Sequence, residues 1–198
     1  MNAAGIARPS DRRSAGRLQT ALVIGVTAVV ISVAAFLIGG GTGGGVTAVE
    51  LASGAAAAAR VVGSVPPPFT GITFDGKKVS LADFKGKPVW LTFGATWCPD
   101  CRTEVADVEA TYEANKDKGL VVLAVFINES ATEIGSYVGK AGLTFPITVD
   151  ENADIAAAYR TMGIPTHFFI GPDGTIKEVR IGALAKDDMA RAVAAIMN

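Results

Sequence analysis

The stretch "PVWLTFGATWCPDCRTE", residues 88–104, joins an apolar segment to a polar one and carries the only two cysteines of the chain. Residues 88–95 are largely apolar and predict a buried strand, while residues 99–116 fit a helix. Cys98 and Cys101 therefore stand where a strand gives way to a helix. Open α/β sheets carry their chemistry at the carboxyl ends of strands, so this junction is the first candidate for a functional site.

The spacing of Cys98 and Cys101 favours redox chemistry over a structural role. A disulfide across two intervening residues closes too small a loop to restrict the unfolded chain much. A closed zinc site needs four ligands, and the chain offers two cysteines and one histidine, His167. At a helix N-terminus, free N–H groups and the helix dipole stabilise a thiolate. We predict that Cys98 is the nucleophile, that Cys101 resolves the mixed disulfide, and that Trp97 forms an apolar rim beside an exposed Cys98 sulfur.

The sequence around this junction predicts a mixed α/β domain. Residues 70–81, "TGITFDGKKVSL", predict a β-hairpin that turns at Asp75-Gly76. Residues 120–128, "LVVLAVFIN", predict a strand that is buried on both faces. The residues after this strand predict two helices (131–141 and 151–160), two strands (166–170 and 175–182) and a final helix (186–197). This order predicts a mixed central sheet with helices on both faces and an N-terminal β-hairpin.

The chain before residue 66 differs from the rest in composition. Four arginines within residues 8–17 precede the apolar run "ALVIGVTAVVISVAAFLI", residues 21–38. Such a run is long enough to cross a membrane, and the arginines before it orient the N-terminus toward the cytoplasm. A cleaved signal peptide is the alternative for this run. We predict a cytoplasmic N-terminus (1–20), a transmembrane anchor (21–41), a flexible Gly/Ala-rich linker (42–65) and an extracytoplasmic domain (66–198).

Two segments carry a specific resemblance to a known family. "FDGKKVSLADFKGKPVWLTFGATWCPDC", residues 74–101, and "GIPTHFFIGPDGTI", residues 163–176, resemble the TlpA/ResA-type proteins, which are membrane-anchored bacterial members of the thioredoxin superfamily. The resemblance covers roughly residues 67–198. It implies a thioredoxin fold and an extracytoplasmic thiol–disulfide oxidoreductase whose only redox group is the Cys98–Cys101 couple. It also implies protein disulfide or dithiol substrates, such as apocytochromes c, and a membrane electron donor.

Three further positions carry over from the resemblance. Pro165 matches the family's cis-proline, so the Ile164–Pro165 bond is expected to be cis and to pack against the cysteines. Glu104 matches the family's active-site glutamate and is a candidate proton carrier if it is partly buried, or a solvated first-turn acid if it is not. Thr92 stands where thioredoxins proper carry a buried aspartate, and a hydroxyl cannot act as a carboxylate base.

The dipeptide between the cysteines departs from the family pattern, which has proline immediately before the second cysteine. Here the order is Pro99-Asp100. Proline suits the first helical position, whereas the charge of Asp100 favours the helix dipole but opposes a nearby thiolate. The sequence leaves the net effect on the redox potential open. We expect these residues to shape the site or to contact the substrate: Trp97, Pro99, Asp100, Ile164 and Pro165.

Several other functions compete with this one. A peroxidase of the same fold would carry proline and threonine or serine at the positions of Leu91 and Ala95. A copper-delivery protein is conceivable because His167 follows Pro165 closely, but its cysteines would be spaced differently. An oxidant that introduces disulfides is the alternative direction of electron flow, and a binding domain that has kept its cysteines is a further alternative. The net charge of −1 and the absence of a basic stripe argue against nucleic-acid binding.

Overall fold

The computed structural model describes residues 50–51 and 61–198. This part of the chain contains eight strands and four α-helices. The strands are β1 (Glu50–Leu51), β2 (Phe69–Thr73), β3 (Lys78–Ser80), β4 (Val89–Gly94), β5 (Val121–Ile127), β6 (Ile147–Asp150), β7 (Thr166–Ile170) and β8 (Ile176–Ile181). The helices are α1 (Pro99–Asn115), α2 (Ala131–Ala141), α3 (Asp154–Ala158) and α4 (Lys186–Met197), with short 3₁₀ turns at Leu81–Phe84 and Lys116–Lys118.

The strands form one mixed sheet in the order β1-β2-β6-β5-β4-β7-β8, and β3 pairs with β2. The central strands β4, β5 and β6 are parallel, while β7 runs antiparallel to β4 and β8 antiparallel to β7. Parallel neighbours need a crossover connection, which α1 and α2 supply. The prediction of a mixed sheet with an N-terminal hairpin is confirmed.

Helices cover both faces of the sheet, as predicted, and each face has its own core. One core lies under α1, α2 and α4 and includes Trp90, Phe126 and Phe169. The other lies against α3 and includes Phe93 and Phe168. Because alternate residues of a strand point to opposite faces, Trp90, Thr92, His167 and Phe169 share the face that α1 covers.

Two elements differ from their predicted form. Strand β6 was not predicted, because four residues with no alternation lie between two helices, and all four are buried. The helix predicted at 151–160 is only Asp154–Ala158. Ala153 and Arg160 adopt left-handed backbone conformations at φ 58° and 50°, which bound the helix on both sides.

The folded domain begins a few residues before the predicted boundary at residue 66. The N–H of Gly63 donates to the carbonyl of Ile176, and the N–H of Ile176 donates to the carbonyl of Ser64. Strand β1 also pairs with β2 from within the predicted linker. These bonds attach the chain before residue 66 to the edge strands of the sheet.

The predicted cytoplasmic segment (1–20) and transmembrane anchor (21–41) lie outside the described residues. Within residues 50–51 and 61–198, no helix has the length and apolarity needed to cross a membrane.

Candidate active site

The cysteine pair lies at the strand-to-helix junction that the sequence predicted. Strand β4 ends at Gly94, and Cys98 is the N-cap residue of α1, where its sulfur accepts a hydrogen bond from the N–H of Cys101 at 3.2 Å. Cys98 and Cys101 form a disulfide. Pro99 occupies the first turn of the helix, where a missing N–H leaves no backbone bond unmade. A sulfur in this position faces the free amides of the helix N-terminus, which favour a thiolate after reduction.

The disulfide is more enclosed than the sequence led us to expect. Cys98 is only 3% exposed and Cys101 8%, because Ala95 and Ile164 pack against the pair. The expectation of an exposed Cys98 sulfur is therefore wrong. Trp97 is 54% exposed, so an apolar surface does lie next to the disulfide along the chain.

The segment before β7 approaches the disulfide from a distant part of the sequence. The Ile164–Pro165 peptide bond is cis, as the resemblance implied. The carbonyl oxygen of Ile164 lies 3.8 Å from the sulfur of Cys98. The carbonyl of Pro165 accepts a hydrogen bond from the N–H of Gly182 at 2.8 Å, which ties this segment to the end of β8. Asp100, by contrast, is exposed on the outer side of the first helical turn.

Glu104 is buried, which excludes the alternative of a solvated acid. It is 5% exposed, and its Oε2 accepts a hydrogen bond from the N–H of Leu184 at 2.7 Å. Glu104, Cys101 and Pro165 line one small cavity of about 20 Å³. Such a volume holds about one water molecule, so Glu104 and Cys101 border a shared space that could carry a proton.

The chain's single histidine extends this buried polar group. His167 is fully buried, and its Nδ1 lies 3.2 Å from the indole Nε1 of Trp90 and 3.0 Å from the hydroxyl of Thr92. Its Nε2 lies 3.4 Å from Oε1 of Glu104. Nδ1 therefore has hydrogen-bond partners inside the protein, and Nε2 points toward a buried side chain and has no hydrogen bond. The contacts of Nδ1 argue against the copper alternative. No group of three potential metal ligands occurs among the described residues.

A second buried carboxylate lies on the other side of the cysteine loop, and the sequence did not predict it. Glu129, just after β5, is 5% exposed and accepts hydrogen bonds from the backbone N–H of Thr96, at 2.7 Å, and from the Thr96 hydroxyl. Burial raises the pKa of Glu129, and the bonds from Thr96 partly oppose that rise. Its place at the carboxyl end of a buried strand is the signal that could have pointed to it.

Comparisons with known proteins agree with this geometry. Residues 62–179 match the sequence profile of the AhpC/TSA family. The thiol–disulfide oxidoreductase ResA of Geobacillus kaustophilus is 34% identical over 133 residues, which are 67% of this chain and 76% of that protein. ResA proteins from Bacillus thuringiensis and other bacilli match similarly.

Solved structures show the same fold. A thiol:disulfide interchange protein of the thioredoxin family from Chlorobium tepidum superposes with a TM-score of 0.64 at 30% identity, over 68% of this chain and 97% of that one. A secreted disulfide oxidoreductase of Mycobacterium tuberculosis, described as homologous to Escherichia coli DsbE, gives a TM-score of 0.59 at 28% identity, over 64% and 95%. The chain belongs to the AhpC/TSA family and, within the thioredoxin superfamily, is a thiol–disulfide oxidoreductase of the TlpA/ResA type.

Proposed function

We propose that this oxidoreductase reduces disulfides of extracytoplasmic proteins, apocytochromes c among them, and is itself re-reduced by a membrane electron carrier. The observation that carries the proposal is Cys98 at the N-cap of α1, disulfide-bonded to Cys101 in the first turn of the same helix. The extracytoplasmic location is supported by the apolar run at 21–38 behind four arginines, and by similarity to a secreted mycobacterial protein. No cofactor beyond the disulfide is required.

The chemistry proceeds in two exchanges. In the reduced protein the Cys98 thiolate attacks one sulfur of the substrate disulfide, and the other substrate sulfur leaves as a thiolate. Cys101 then gives its proton to the Glu104 carboxylate and attacks the Cys98 sulfur of the mixed disulfide. The Cys98–Cys101 bond forms, and the second substrate thiolate leaves. Two electrons pass to the substrate, whose two sulfurs take up protons.

The residues around the disulfide each have a role in these two exchanges. Glu104 is the proton carrier because it is buried and shares a cavity with Cys101. Ile164 and Pro165 present backbone beside the Cys98 sulfur, where an extended substrate chain can pair. Trp97 offers exposed apolar surface to that chain. Pro99 and Asp100 adjust the stability of the thiolate from the first helical turn.

The test is to trap the mixed disulfide. We expect Cys101→Ser to accumulate a covalent adduct with a reducible protein substrate such as insulin, since Cys98 can attack but nothing resolves the adduct. Cys98→Ser should form no adduct and should lose essentially all insulin reduction. Mass spectrometry of non-reduced samples identifies the adduct. An adduct through Cys101 in the Cys98→Ser protein, or full activity of that variant, would contradict the assigned order.

The direction of electron flow is tested by the reduction potential of the couple. A value near that of thioredoxin, about −270 mV, fits a reductant, whereas a value near about −120 mV fits an oxidant that introduces disulfides. Equilibration with glutathione buffers, followed by alkylation of free thiols, measures it. Labelling of intact cells with a membrane-impermeant thiol reagent tests the location, because the reduced pair should react only if it lies outside the cytoplasm.

A further inference from the structure

His167 is a buried polar side chain for which the two thiol–disulfide exchanges above have no use. It is fully buried in the middle of β7, between the indole of Trp90 and the carboxylate of Glu104. In the pairing of β4 with β7, Thr92 lies directly opposite His167, and Trp90 lies opposite Phe169. Polar side chains are rarely this buried unless they are held by specific partners.

The partners on Nδ1 determine which nitrogen carries the proton. The indole N–H of Trp90 is a donor and cannot accept, so Nδ1 must offer its lone pair. The Thr92 hydroxyl, at 3.0 Å from the same nitrogen, can donate to it as well. A neutral imidazole that accepts at Nδ1 carries its hydrogen on Nε2. An imidazolium would set an N–H on Nδ1 against the N–H of Trp90, so the pocket favours the neutral ring.

The hydrogen on Nε2 then faces Glu104. Nε2 lies 3.4 Å from Oε1, longer than an ideal hydrogen bond, and it has no hydrogen-bond partner within the described residues. The other oxygen, Oε2, accepts from the N–H of Leu184. Oε2 of Glu104 is therefore hydrogen-bonded to a backbone N–H, and Oε1 lies beside the Nε2 of His167. These two contacts orient the carboxylate.

Few other titratable groups lie near the carboxylate of Glu104 within the described residues. Cys101 of α1 and Tyr137 of α2 line the same cavity, and burial raises the pKa of Tyr137, which keeps its hydroxyl neutral. Arg180 of β8 pairs with His167 in register, but its guanidinium lies with Glu178 and Asp188. Within the described part of the chain, His167 is thus the ionisable side chain placed in polar contact with Glu104.

We propose that His167 is a positioning residue for Glu104: as a neutral imidazole held by Trp90, it presents its Nε2–H to the carboxylate and keeps the carboxylate in place to accept the proton of Cys101. The inference rests on the proposed role of Glu104 as proton carrier. His167 itself touches neither the cysteines nor the substrate in this scheme. It acts only through the charge state and orientation of the carboxylate.

The test compares pH profiles of insulin reduction for His167→Phe and His167→Gln. Phenylalanine keeps the aromatic volume and removes both nitrogens, whereas glutamine can still accept from Trp90 and donate to Glu104. We expect His167→Phe to move the fall in kcat/KM at low pH upward by roughly one pH unit, because the carboxylate loses the polar N–H that lies 3.4 Å from Oε1. His167→Gln should restore most of the wild-type profile. A purely structural role would lower activity at all pH values without moving that fall.

The same substitutions in a Glu104→Gln background distinguish the positioning role of His167 from the proton-carrier role of Glu104. With the carboxylate removed, His167→Phe should not shift the profile further. An equal shift in that background would overturn the inference, because His167 would then act independently of Glu104. Wild-type exchange by Glu104→Gln alone would instead overturn the proton-carrier role.

A measurement on the unmutated protein does not depend on how the variants fold. Imidazole ¹⁵N chemical shifts should show hydrogen on Nε2 and none on Nδ1, because the indole N–H of Trp90 donates to Nδ1. The Nδ1–H tautomer would overturn the inference.

Discussion

Glu104 and Glu129 are equally buried carboxylates on opposite sides of the same cysteine loop, and their partners give them different properties. Each is 5% exposed. Glu129 is held by one residue, Thr96, through its backbone N–H and its hydroxyl. Glu104 is held between the backbone N–H of Leu184 and the ring nitrogen of His167.

The difference lies in what the partners can do when the charge changes. A hydroxyl both donates and accepts, so it can adapt to a neutral amide or a protonated acid in place of Glu129. The two N–H groups that face Glu104 can only donate, so that site requires two acceptors. Despite equal burial, Glu129 acts as a clamp that holds the loop before Cys98 through Thr96. Glu104 is instead a carboxylate oriented beside the cavity that it shares with Cys101.

The largest effect is expected when each carboxylate is replaced by its amide and the exchange rate is measured. Glu104→Gln should slow insulin reduction by about 10²-fold, the lower end of general acid–base contributions, because Cys101 loses its proton acceptor. Glu129→Gln, the matched control, should stay within about threefold of wild type, a change we regard as small against that range. Equal rates in the two variants would contradict the distinction between a carrier and a clamp.

The second largest expected difference between the Glu129 and Glu104 sites is in the free energy of unfolding of their variants. Glu129→Ala leaves the half-buried N–H of Thr96 without its acceptor, which should lower the free energy of unfolding by about 1–3 kcal/mol. Glu129→Gln should lose much less, since its carbonyl replaces one oxygen and its amide can donate to the Thr96 hydroxyl. Urea unfolding monitored by circular dichroism gives both values.

The free energy of unfolding of Glu104→Gln, measured in the same way, should contrast with that of Glu129→Gln. Its amide must face either Leu184 or His167, and both are donors, so it should be less stable than Glu129→Gln by about 1 kcal/mol. If the two amide variants proved equally stable, the donor-only description of the Glu104 site would be wrong.

Most of the fold and the core of the site follow from local sequence patterns. The alternation of apolar segments predicts the strands and helices, and the Cys98–Cys101 spacing, Pro165 and Glu104 follow from short motifs. Strand β6 does not, because a four-residue buried strand shows no period. The contacts that distinguish Glu104 from Glu129 do not follow from local sequence patterns either.

Those contacts join residues that are far apart in the chain. Thr96 and Glu129 are 33 residues apart, and Trp90 and His167 are 77 apart. Their partnership depends on strand order and register, which a local pattern does not encode. A polar residue inside an otherwise apolar strand, as in "THFFI", was the available signal that His167 had specific partners.

The smallest expected effect is the pH dependence of stability contributed by Glu129. Burial raises the pKa of Glu129 in the folded protein above its unfolded value near 4.5, so the folded state holds this proton more tightly. The resulting stability is present at low pH and is lost as the pH rises through the folded-state pKa. Wild type should therefore become less stable relative to Glu129→Gln as the pH rises from the unfolded-state pKa through the higher folded-state pKa, with the difference constant above that window.

The comparison with Glu129→Gln is necessary because another buried acid changes stability in the same direction. Burial also raises the pKa of Asp150, which accepts hydrogen bonds from the backbone of Ile155 and Ala156. Both proteins keep Asp150, so its contribution cancels in the difference between their unfolding free energies. Thermal or urea unfolding at five pH values would give that difference. A difference independent of pH would mean that desolvation and the Thr96 hydrogen bonds balance, so that Glu129 clamps the loop equally well with or without its proton.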